Sequence, residues 1–134
     1  MECAGSPIHP AVRKEMEALG ELRKKLDYSF SAEPNAETHP YNAVKRLHEL
    51  MYALKKVEKN KEEEELMRLR ENALDDAYKF RQYFEEYRKS LKSSKKTENI
   101  DELAGCKRAL SYSLKQYLER LESKYSSCYH PIAH

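Results

Sequence analysis

The chain predicts an all-α fold, an antiparallel helical bundle of three long helices plus an N-terminal helix. Three observations carry that reading. The 134 residues are 36% charged and include only three Gly and five Pro, with Glu, Lys, Leu, Arg and Ala abundant. Those side chains lose little freedom in a helix. Apolar residues recur at steps of three and four along four segments, and polar stretches bearing Pro, Asn or Ser separate them.

The first helix is expected from Pro10 to Tyr28, with Val12, Met16, Leu19, Leu22 and Leu26 on one face. Gly20 interrupts that face and costs about 1 kcal/mol relative to Ala. Ser29 to Pro40 reads as a loop, with Pro40 as the first residue of the second helix and His39 or Thr38 as its cap. The second helix carries Val44, Leu47, Met51, Leu54 and Val57 on one side. Lys55, Lys56, Lys59 and Lys61 are followed at once by Glu62 to Glu65. Cations favour helix C-termini and anions N-termini, so a tight turn is expected near Asn60. A single helix over 41–92 is the alternative.

The third helix, Glu62 to Lys92, has a near-heptad row of Leu66, Leu69, Ala73, Ala77, Phe80, Phe84, Tyr87 and Leu91. Asn99 and Glu102 have the spacing of a capping box for the fourth helix, whose stripe is Leu103, Cys106, Leu110, Leu114, Tyr117 and Leu121. Residues 10–126 form the expected bundle domain, between flexible tails at 1–9 and 127–134.

The functional classes narrow by chemistry. Twenty-five basic residues against 23 acidic give a net charge of +2, which supplies no global field for nucleic acid or membrane. Cys3, Cys106 and Cys128 are an odd, irregularly spaced set, as expected of a reducing, cytoplasmic setting without a disulfide framework. No apolar run approaches the roughly 18 residues of a transmembrane helix, and the N-terminus has no signal-peptide pattern. Glycines at 5, 20 and 105 build no phosphate loop, dinucleotide fingerprint or nucleophile elbow. The expectation is a non-enzymatic protein without cofactor or metal.

Particular residues invite sharper readings. Cys128, His130 and His134, with Cys3 and His9, are zinc-compatible donors, but Pro131 prevents a shared helical face and no CxxC pair is present. A tail is the expected state. Cys106 is assigned to the core as a small hydrophobe, and His48 to the edge of an apolar face. Arg88, Lys89, Lys92, Lys95 and Lys96 form a basic patch that either completes a helix C-terminus or meets a polyanion, such as a phosphate backbone or the acidic tails of tubulin.

The segment "YKFRQYFEEY", 78 to 87, places Phe80, Tyr83, Phe84 and Tyr87 within one sector of the helix. Tyr78 falls on another side, with Met67 and Leu74. This second ridge is either covered by the first helix or left for a partner.

"LKQYLERLESKY", Leu114 to Tyr125, resembles the final helix of microtubule-interacting and trafficking (MIT) domains. These are three-helix bundles with grooves that receive short helical tails of ESCRT-III proteins. The resemblance covers a dozen residues and implies that class of partner. The function expected from the residues themselves is protein–protein interaction or scaffolding, with a partner helix or peptide in an inter-helix groove. The alternatives are a homodimeric assembly and a polyanion or membrane-surface binder through 88–96.

Overall fold

Histidine and proline open the first two helices. The computed structural model describes residues 9–28, 38–58, 64–92 and 100–125. They form α1 (Pro10–Tyr28), α2 (Pro40–Glu58), α3 (Glu64–Lys92) and α4 (Ile100–Tyr125). A proline in the first helical position forfeits only an amide that has no intrahelical acceptor. The ring of His9 accepts a hydrogen bond from the Ala11 amide at 3.1 Å, and that of His39 from the Tyr41 amide at 3.1 Å. Imidazole Nδ1 thus plays the part usually taken by Ser or Asp, with His39 capping α2.

Charge marks the other ends. Glu64 and Glu65 occupy the first turn of α3, and Asp101 and Glu102 that of α4. Lys25, Lys55, Lys56 and Lys124 occupy last turns. Each sign complements the helix dipole. Asn60 and Asn99 lie outside the described residues.

Side-chain pairs give the direction of each helix. His39, at the cap of α2, meets Phe84 of α3, and His48 of α2 meets Tyr78. Glu65 of α3 meets Arg120 of α4, and Asp76 meets Ser113. In both pairs of helices one number falls as the other rises, so the neighbours are antiparallel. One helix over 41–92 is thereby excluded. α1 packs on α2 and α4, and α3 packs on the same two, while the diagonal pairs do not approach. The fold is an all-α antiparallel bundle of four helices closed into a ring.

Each helix sends a line of residues inward at alternating steps of three and four. On α2 the line is Pro40, Ala43, Leu47, Leu50 and Leu54, all buried. Phe80, Leu103, Leu110, Leu114 and Leu121 are fully covered at its centre. Phe84 and Tyr87 are buried and Tyr83 is partly so, as the aromatic sector predicts. The inward line departs from the sequence-based one on all four helices: Glu15 stands where Met16 was expected and Leu50 where Met51 was, both methionines being only partly buried. Arg70, 5% exposed, takes the position expected of Leu69, which is only partly buried. Lys107, 3% exposed, takes the position expected of Cys106, which is half-buried. On α1 the line passes through Glu15, whose side chain is 13% exposed.

Polar bonds tie α4 to both neighbours. Ser111 donates to Asp27 of α1, and Ser113 donates to Asp76 of α3. Two serines two residues apart on a helix project to different sides, which suits a helix held between two others. No described helix is long and apolar enough to cross a membrane.

Burial lowers the pKa of Lys107 from its ordinary value near 10.5. Between the folded and unfolded values the unfolded chain holds more protons, so stability rises with pH there. Lys107→Met removes this titration, so the wild type should gain stability relative to the variant as the pH rises through the folded pKa toward 10.5. Thermal unfolding of both proteins across that range checks this, and a constant difference would contradict it.

Candidate functional site

A helix in a ring buries the arc facing its two neighbours and leaves an outer line to solvent. On α2 that outer line is Tyr41, Lys45, His48, Tyr52 and Lys55, again at steps of three and four. Tyr41 is 50% exposed and Tyr52 61% exposed. Cations stand over both rings: the Arg81 guanidinium at 5.4 Å from the Tyr41 centroid, and the Lys56 ammonium at 4.7 Å from that of Tyr52. His48 Nε2 lies 3.0 Å from the Tyr78 hydroxyl, so the face continues onto α3. Of five exposed large apolar side chains among the described residues, Tyr41, Tyr52 and Tyr78 gather here, while Met67 and Tyr112 stand elsewhere.

Along the α1 side of this line runs a groove of about 820 Å³. Its floor includes buried Val44 and Ala53 and half-buried Met51. Ala11, Lys14 and Glu15 form the α1 wall. Both glutamates of the groove are engaged by one guanidinium: Arg46 Nη1 lies 3.1 Å from Glu15 and 2.9 Å from Glu49. Lys14, Lys45 and Lys55 have no described carboxylate within ion-pair distance. The groove therefore combines an apolar floor, aromatic edges and a basic rim. The smaller groove between α1 and α4, about 410 Å³, mixes Arg13, Arg23 and Lys115 with Glu17, Glu119 and Glu122.

The residues singled out in the sequence are distributed unevenly. Leu74 is 9% exposed and belongs to the core, the covered alternative for this member of the second ridge. It flanks the inward line of α3, and two neighbouring helices cover a wider arc than one would. Met67 and Tyr78 are exposed, at 41% and 43%. The helix that reaches Tyr78 is α2, through His48, because α1 and α3 stand on a diagonal. His48 is exposed, and it lines the groove.

In the basic patch, Arg88 and Lys89 are exposed, and Arg88 lies 3.7 Å from Glu85 in a surface pair of little energetic weight. Lys92 ends α3, and Lys95 and Lys96 lie outside the described residues. So do the expected tails, except His9, together with Cys3, Cys128, His130 and His134. His9 caps α1. Among the described residues no group of three or more His, Cys, Asp or Glu is placed to hold a metal. The Cys106 thiol has its pKa raised, first by burial and then by Asp76 and Glu102 against the opposing Lys79, which disfavours the thiolate.

The outer line of α2 escaped the sequence reading, although Tyr41, His48 and Tyr52 carry a readable signal. They repeat at helical spacing, one or two residues beyond the inward positions 40, 47 and 50.

No protein-family model, curated protein or solved structure matches the chain. The MIT family, which the last helix resembles, has three helices, whereas here four close the ring.

The split of Leu74 from Tyr78 is directly measurable. Leu74→Ala should cost about 2–4 kcal/mol, as for a buried leucine, and Tyr78→Ala less than about 1 kcal/mol. Urea unfolding of the two variants checks this, and equal small losses would place Leu74 at the surface.

Proposed function

We propose that the chain is a non-catalytic interaction module that docks a partner helix or short peptide in the groove between α1 and α2. The observation that carries this reading is the gathering of Tyr41, His48 and Tyr52 along a groove with an apolar floor. Tyrosines supply large contact area for little lost side-chain freedom, and are enriched at binding hot spots. They are also poor choices for a face that meets only water.

Chemistry inside the groove supports binding better than turnover. Its carboxylates are held by Arg46, and its lysines point their charge from exposed positions at the rim. A catalytic base needs a fixed partner and a reacting atom within about 3 Å. An apolar floor with charged edges is instead the form in which amphipathic helices are received.

Tyr41→Ala with Tyr52→Ala should leave the melting transition nearly unchanged, since both rings are at least half exposed. The same double variant should lose the proteins captured by the wild-type chain in the cells that express it. Tyr112→Ala, at an exposed ring on α4, serves as the control and should capture them as the wild type does. Equal capture by all three chains would contradict the proposal.

A further inference from the structure

We infer that the occupant of the α1–α2 groove is an acidic amphipathic helix, about 15 residues long, that sets apolar anchors on the floor and carboxylates against the rim. This deepens the docking function proposed above and rests on it. Length comes from the groove itself: Tyr41 to Lys56 spans sixteen residues of α2. At a rise of 1.5 Å per residue that is about 24 Å of helix.

The sign of the partner follows from the ion pairs. Lys14, Lys45, Lys55 and Lys56 line the groove. Its two carboxylates, Glu15 and Glu49, share the single guanidinium of Arg46 at 3.1 and 2.9 Å, which leaves those three groups one negative charge against the four lysines. The charge left for a partner is therefore positive, although the whole chain is nearly balanced at +2. Desolvation of an apolar seam strengthens each charge contact at its edge and penalises a like-charged partner. The α1–α4 groove, with its mixed rim, provides no such discrimination.

The rim also distinguishes a helix from a simple polyanion. The four lysines bracket an apolar floor formed by Val44, Met51 and Ala53. A polyanion would satisfy the lysines and leave that floor wet. Apolar groups repeating at steps of three and four, with acidic groups on both flanks, satisfy both parts.

A phage-displayed library of random peptides about 15 residues long, selected on the full chain, tests the inference. The expected winners carry Asp or Glu flanking Leu, Ile or Phe at helical spacing, and shift the amide resonances of α1 and α2. Lys45→Glu with Lys55→Glu should weaken them at least tenfold, and exchanging their acidic residues for Lys should restore binding to that variant. Winners that map to the groove without acidic enrichment would overturn the inference and leave the docking function standing. Winners that map elsewhere, or none above background, would overturn both. Acidic peptides that bind equally well without their apolar residues would make the rim a polyanion site and overturn the inference. Self-association of the purified chain that is lost in Tyr52→Ala would make a second copy the occupant, and would overturn it as well.

Discussion

The docking of α1 against α2 and α4 is the contact on which the remaining architecture depends. A helix of 19 residues with Gly20 near its middle is marginal by itself, so its order comes from packing. Val12, Leu19, Leu22 and Leu26 are buried, and each such side chain contributes about 1.5–3 kcal/mol when fully removed from water. Two polar contacts then choose among possible registers: Glu15 with Arg46 of α2, and Asp27 with Ser111 of α4. Without α1 the bundle would lose one side of its ring, exposing apolar residues of α2 and α4. It would also lose the wall that makes a groove beside Tyr52.

Charge inside the ring shows how spacing outweighs hydropathy. Glu15, Arg70 and Lys107 occupy inward positions on three different helices, where hydropathy alone would place an apolar residue. They fall on lines at steps of three and four, the spacing that keeps one face of a helix toward the axis of a bundle. Long stems let Arg and Lys cover apolar surface along their methylenes. The cost of burial appears in Lys107 as a depressed pKa.

The same competition sets how much was legible in the sequence. Helix boundaries were readable at Pro10, at Pro40 and at the change of sign from Lys55 and Lys56 to Glu64 and Glu65, since backbone sterics and the helix dipole act locally. The aromatic sector of α3 was readable because four rings within one arc of the helix face the same way. Leu69 and Arg70, or Cys106 and Lys107, differ by one residue and about 100° on the helix. Choosing the more apolar member of each pair misplaced the inward line. Leu74 depends on how many neighbours α3 has, which is a tertiary fact. The outer line of α2 has no apolar signature by hydropathy, because Tyr, His and Lys all score as polar or neutral.

Both the closed ring and its groove require α1 to be an integral wall. Native-state amide hydrogen exchange measures this most directly, since protection reports the free energy of opening for each helix. Amides of α1 between Leu19 and Leu26 should be protected to within about 1 kcal/mol of the slowest amides in α4. Rapid exchange throughout α1, with α2, α3 and α4 still protected, would contradict the closed ring and remove the groove with it.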